Sequence, residues 1–150
     1  MSATSTPRHQ LPYLAVGQAQ KEITHNQALV RIDALLQPLV EAELSAPPAS
    51  LAESQAGKCW LVGAGASGEW ANQQGQIAYW DGGGWQFIAP MDCMRLFNKE
   101  IGSEMVFKSD AWVSNNPILD ASGGNTIDVE ARNIVNQLLS ALKNIGILPS

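Results

Sequence analysis

The sequence predicts an α+β fold: a small antiparallel β-domain built from two aromatic hairpins, flanked by an N-terminal and a C-terminal helix. Three observations carry this. One motif occurs twice, shifted by 27 residues: Trp70, Gly75, Trp80, Trp85, Pro90, then Phe97, Gly102, Phe107, Trp112, Pro117. Self-similarity of this kind marks a duplicated supersecondary unit. Apolar residues recur at helical spacing on both sides of it, and short apolar runs broken by Gly and Asp fill the interval.

The elements follow in order. Residues 1–10 are polar, Ser/Thr-rich and interrupted by Pro7, which reads as an arm that is disordered alone and able to order on a partner. Residues 11–20 carry apolar side chains without a helical stripe and read as extended or turn. A helix then opens with Thr24 as N-cap and Gln27 completing a capping box. Leu29, Ile32, Leu36 and Leu39 form its apolar face, and Pro38, which lacks an N–H, stops it near Leu36 or Gln37. Residues 39–44 read as one short strand before the stiff linker Ala46-Pro47-Pro48-Ala49-Ser50.

From about Gly57 to Val113 the pattern is antiparallel β. Residues 59–62 form one strand. Residues 76–80 and 85–88 flank Asp81-Gly82-Gly83-Gly84, a turn in which positive φ carries no steric cost. In the second unit, residues 105–107 and 111–113 flank Lys108-Ser109-Asp110, a turn without Gly. The two hairpins are expected to pair side by side in one sheet. A final helix spans about Ile127 to Ile145, with Thr126 as N-cap, acidic Asp128 and Glu130 in its first turn and Gly146 at C′. Ile127, Ala131, Ile134, Leu138, Ala141, Ile145 and Leu148 follow steps of four and three, a heptad seam that Val135, Leu139 and Leu142 widen. Self-association and docking on the chain's own β-domain both fit that face. The resulting organisation is an arm or anchor over 1–20, a helix plus β-domain over 21–118, and a docking or oligomerisation helix over 119–150.

Composition narrows the function classes. At 150 residues the chain supports one hydrophobic core. Charged residues make up only 15%, which suits a protein held inside an assembly. Net charge is −5 and the nine Lys and Arg are scattered, so no basic stripe neutralises phosphates and no nucleic-acid partner is expected. No leader-like start and no apolar run of spanning length appears, so no membrane insertion is expected and release follows cell lysis. Cys59 and Cys93 read as reduced cytoplasmic cysteines, with one disulfide as the alternative, and no zinc-ligand spacing exists.

Gly63-Ala64-Gly65-Ala66-Ser67-Gly68 matches a dinucleotide fingerprint in spelling only. No helix pattern opens at Gly68 to meet a pyrophosphate, so the segment reads as a loop between strands. His25 and Asp33 lie two helical turns apart, too far for a direct bond, and His25 reads as packed on the β-domain. No catalytic residue, cofactor site or metal site is assigned, and the expectation is a non-enzyme. Tyr79, Trp80, Trp85 and Trp112 are the candidate glycan contacts, since flat aromatic faces stack on sugar rings; a core role for them is the competing and favoured reading.

The block from Leu11 to Leu29 (LPYLAVGQAQKEITHNQAL) resembles a domain family of once-unknown function associated with alphaproteobacterial prophages and gene transfer agents. Pro47 to Ser50, Val62 to Gly68 and the hairpin ending at Trp85 are similar to that family too. Glu130-Ala131-Arg132 and the apolar helix after it are similar to the tails of phage tail-fibre-like chains. Lys108-Ser109-Asp110 departs from the Gly-containing turn expected there.

The resemblance implies a virion structural component: a head-spike base or a tail-fibre adaptor that attaches to a phage-like particle and presents a fibre or host-contacting element. The chain stops after the domain and one helix, which favours an adaptor or spike base. Implied partners are further copies of the chain (a trimer or pentamer), capsid or tail proteins, a fibre protein and cell-surface polysaccharide. Particle anchoring is expected through Leu11, Pro12, Tyr13 and Leu14, and oligomer contact through Ile127, Ala131, Ile134, Leu138, Ala141 and Ile145. The alternative is a carbohydrate-binding module using the hairpin aromatics. The implied location is the particle, assembled in the bacterial cytoplasm.

Overall fold

The computed structural model describes residues 5–14, 21–124 and 128–149. Helix α1 (Lys21–Leu36) leads into β1 (Leu39–Val40), β2 (Glu43–Leu44), β3 (Cys59–Val62), β4 (Ile77–Trp80), β5 (Trp85–Ile88), β6 (Arg95–Asn98), β7 (Ser103–Lys108) and β8 (Ala111–Ser114), and α2 (Val129–Asn144) follows. The class is α+β, as the sequence predicts.

The strands form two four-stranded sheets rather than one, in the orders β2-β3-β4-β5 and β1-β6-β7-β8. Each is an antiparallel meander of three strands with one short parallel strand added at its first edge. The segment expected as a single strand over 39–44 splits between them: Leu39 and Val40 pair with Phe97 and Asn98, whereas Glu43 and Leu44 pair with Leu61 and Val62. Strand β6 escapes a reading based on apolar runs because Arg95 and Asn98 bracket only two apolar residues. Asn98 is nevertheless buried, and its side-chain oxygen accepts from the Glu100 N–H at 2.9 Å.

The duplication is real at the level of the hairpins. Trp80 stands opposite Trp85, and Phe107 opposite Trp112, at the same offset of 27 (80 to 107, 85 to 112). Gly75 and Gly102, which precede β4 and β7, both take left-handed φ, +77° and +66°. The turns differ. Asp81 Oδ1 accepts from Gly83 N–H and Gly84 N–H at 2.9 and 2.8 Å. Ser109 and Asp110 form a two-residue turn with φ of +52° and +60° and no glycine to ease it.

Strand alternation sorts side chains into two cores. Cys59, Leu61, Ile77, Tyr79 and Ile88 of the first sheet meet Leu96 and Met105 of the second, with Ala34 of α1 and Val40 closing the cluster. The opposite face of the first sheet gathers Trp60, Val62, Trp70 and Ala78, with Trp80, Trp85 and Phe87 against them.

Helix α1 begins three residues before the expected N-cap, so Thr24 lies within it, and it ends at Leu36 as expected. Its inward side is not the predicted stripe. Asp33 and Ala34 are buried with Val30 packed nearby, while Ile32 and Leu36 are exposed. Helix α2 is capped by Asp128, whose carboxylate accepts from Ala131 N–H. The expected cap Thr126 lies outside the described residues. Gly146 follows α2 with φ +75°, as a C′ glycine should.

Candidate functional site

The C-terminal helix is sparsely covered by the rest of the chain. After β8 the chain runs extended and exposed through residues 115–124, then turns back as α2. Its return is tied to the second sheet. Asn115 Nδ2 donates to the Ile147 carbonyl at 3.1 Å, Glu104 N–H donates to the Gly146 carbonyl at 2.9 Å, and Leu148 is buried. Leu148, read from the sequence as the end of the heptad seam, therefore belongs to the body and not to the seam. Gly146 sits so close to Phe97 that a Cβ there would lie 2.5 Å from the ring.

No residue within α2 is buried. Ile134 is 66% exposed, Leu138 59% and Ile145, just past its end, 68%. Only one side of the helix meets its own chain. Arg132 Nη2 donates to the Gly123 carbonyl at 2.7 Å, and Asn136 Oδ1 accepts from Ala121 N–H at 3.0 Å. Arg132, Asn136, Leu139 and Lys143 are half-buried on that side, and at 100° per residue they lie nearly opposite Ala131, Ile134, Leu138, Ala141 and Ile145; Leu142, between the two sides, is half-buried as well. The predicted interface residues are thus brought together on one free face. Ile127 lies outside the described residues. Docking of this face on the chain's own β-domain, one of the two options left by the sequence, is not what the fold does.

The N-terminal residues expected to anchor a particle follow a segment bonded firmly to α1. Buried Asp33 accepts from Thr6 Oγ1 at 2.7 Å and from the N–H groups of Arg8 and His9 at 3.0 and 2.6 Å. The Arg8 guanidinium donates to the carbonyls of Gly57, Ala34, Gln37 and Leu39. Residues 5–10, part of the 1–10 segment read from the sequence as an arm that is disordered alone, are strapped to their own body by these bonds. Leu11, Tyr13 and Leu14 are half-buried and Pro12 is exposed. No periodicity points to Thr6, Arg8 and Asp33; the only hint is an acidic residue amid the apolar stretch of α1.

The aromatic candidates divide. Tyr79 is fully buried and has no face to offer a glycan. Trp85 stands among Trp60, Trp70 and Trp80 at centroid distances of 5.6, 4.9 and 5.2 Å. Trp112 packs on Phe107 at 5.3 Å and donates its indole N–H to the Gly75 carbonyl at 2.8 Å, bridging the sheets. These rings build the two cores. The burial of Tyr79 pushes its hydroxyl well above the usual phenol range, with Asp33 adding to the effect. Burial likewise raises the Cys59 thiol from 9.0 to about 11. Cys59 is buried and Cys93 exposed, and both are free.

His25 is exposed on α1 rather than packed on the β-domain, and Asp33 turns away to the arm. A cleft of about 150 Å³ lies between Tyr13, Asn26, Val30, Asp81 and Gln86. Three of its polar groups are engaged within the fold: Asn26 bonds the Leu14 backbone, and Asp81 serves the hairpin turn and Gln86. Among the described residues no group of His, Cys, Asp and Glu could hold a metal ion, and no helix is long and apolar enough to cross a membrane. The Gly63–Gly68 segment is a loop after β3 that leads into a single 3-10 turn at Gly68–Trp70.

The profile of a family described as protein of unknown function (DUF2793) matches residues 25–113. That is more than half of the 150 residues, and the chain belongs to this family. No curated protein matches the chain. The match opens in α1 and closes in β8, so it takes in both sheets and leaves α2 and residues 5–14 beyond its ends.

Proposed function

We propose that this protein is a non-catalytic structural component of a phage-like or gene transfer agent particle, acting as a head-spike base or tail-fibre adaptor. The observation that supports this best is the free apolar face of α2, with Ile134, Leu138 and Ile145 each more than half exposed. Water-exposed Ile and Leu side chains at this density mark a surface meant to be covered, since each fully buried one is worth about 1.5–3 kcal/mol. The strapped segment Leu11 to Leu14 at the other end supplies a pre-ordered anchor for capsid or tail proteins. The low charge of the chain suits residence in an assembly, and repeated copies on one particle turn weak contacts into firm attachment.

The glycan-binding alternative needs an aromatic platform, and the hairpin rings are engaged in the cores instead. Co-sedimentation of the full chain with purified particles tests the proposal. Binding is expected, and a Tyr13→Ala, Leu14→Ala variant is expected to lose at least tenfold in affinity. A correctly folded chain that stays in the supernatant with every particle preparation sinks this reading.

A further inference from the structure

We infer that α2 is covered by α2 of two other copies, in a parallel three-stranded coiled coil that projects from three bodies. The inference rests on the assembly role proposed above and names the partner of its surface. In heptad terms Ala131, Leu138 and Ile145 are a positions, and Ile134 and Ala141 are d positions. Within the helix the two large seam residues are Leu138 at a and Ile134 at d, a combination that favours three or more strands, whereas pairs prefer a β-branched residue at a and Leu at d. Ile145, the one β-branched a residue, lies just past the end of α2. Val135 and Leu142 occupy e positions beside this seam. A two-stranded coil would leave Val135, 47% exposed, in water, and a third helix covers it; Leu142 is already half-buried by its own chain.

The chain's own contacts leave this arrangement open. The segment 121–123 lies on Arg132 and Asn136, which are b and f positions, the outward side of any coiled coil. Intramolecular packing thus occupies the back of the helix and spares the seam. Charge raises no barrier between copies: within α2 only Glu130, Arg132 and Lys143 are charged, and none is at a, d or e. The flanking g positions are Glu130 in the first turn, and Gln137 and Asn144, neutral amides that bring no like-charge repulsion.

Geometry sets direction and closure. Each helix is fixed at its C-terminal end to its own second sheet through Gly146 and Leu148. A closed threefold ring of identical chains requires parallel helices. The three bodies then gather at the C-terminal end of the bundle, and the Asp128 end forms its tip, about 24 Å away.

Native mass spectrometry and light scattering of the full chain test this. Wild type is expected at three times the chain mass. Ile134→Asp with Leu138→Asp is expected at one chain mass, a threefold fall, with unchanged near-ultraviolet circular dichroism from the Trp cores. Exchange of the seam residues, Ile134→Leu with Leu138→Ile, is expected to shift the particle towards two chains. A wild-type monomer, dimer or pentamer overturns the inference. So does a trimer that survives the double Asp change, a body that unfolds with it, or an exchange variant that stays wholly trimeric. The two readings fail separately: a trimer that ignores purified particles counts against the virion role alone, and a monomer that binds them counts against the coiled coil alone.

Discussion

The two sheets carry the same motif at the same register but point it in opposite directions. In the first sheet Trp80 and Trp85 face away from the other sheet, into a cluster with Trp60 and Trp70 that the chain's own loops seal with Leu51 and Ala66. In the second, Trp112 faces inward, packs against the shared core and bonds the Gly75 carbonyl. The copies are therefore stacked face to back. One aromatic face became a private core, and the other became the mortar between sheets. The second sheet's outer side was left as the mount for α2, through Phe97 and Glu104.

The largest expected effect tests that asymmetry. Trp85→Ala removes the ring at the centre of three contacts and is expected to cost about 4 kcal/mol. Trp112→Ala removes one ring contact and one indole bond and is expected to cost about 2 kcal/mol. Urea unfolding of both variants checks the ordering, and equal costs would mean the two copies share the load alike.

A second effect belongs to the first sheet alone. The buried Cys59 thiol holds its proton to about pH 11 when folded, against 9.0 for an ordinary thiol. The folded chain thus binds more protons than the unfolded one between those values, so stability is full below pH 9 and falls as pH rises to 11. The loss is expected to be about 2–3 kcal/mol. Melting curves across that range check it, and Cys59→Ala should flatten the decline up to pH 10, above which Tyr79 still contributes.

The second sheet's mount is probed by Gly146→Ala. Its φ of +75° and the 2.5 Å approach to Phe97 leave no room for a methyl group. The expected cost is about 1–2 kcal/mol, confined to release of the C-terminal segment. Limited proteolysis should then cut after β8 while the Trp fluorescence of the first sheet stays unchanged. The smallest effect is a gain: Asp110→Gly relieves a left-handed residue in the second hairpin and is expected to add about 0.5–1 kcal/mol in urea unfolding.

Most of the local structure was legible. The 27-residue offset located β4, β5, β7 and β8, and β5 (Trp85–Ile88) coincides with its expected range. Gly146 marked the end of α2 correctly, whereas the helix starts at Val129, two residues later than expected, with Asp128 as its cap in place of a first-turn residue. What was hidden has physical causes. Strand β6 carries polar Arg95 and Asn98, so its signal fell below that of its neighbours. In α1 the stripe of Ile32 and Leu36 suggested the buried face, yet buried Asp33 outranks it because three donors from residues 6–9 satisfy its carboxylate. The Thr6–Arg8–Asp33 clasp joins residues about 25 positions apart, and such a pairing leaves no trace in periodicity.

Sequence alone determined most of the elements, β6 and the division of 39–44 excepted, together with the duplicated register and the heptad seam, because each depends on spacing along one strand or helix. Only the tertiary structure decided that the hairpins occupy two sheets, which face of each is inside, and which face of α2 is free. Alternation and helical periodicity divide an element into faces, but they are blind to what lies opposite. That is decided by the split of residues 39–44 between two sheets and by the segment laid along the back of α2.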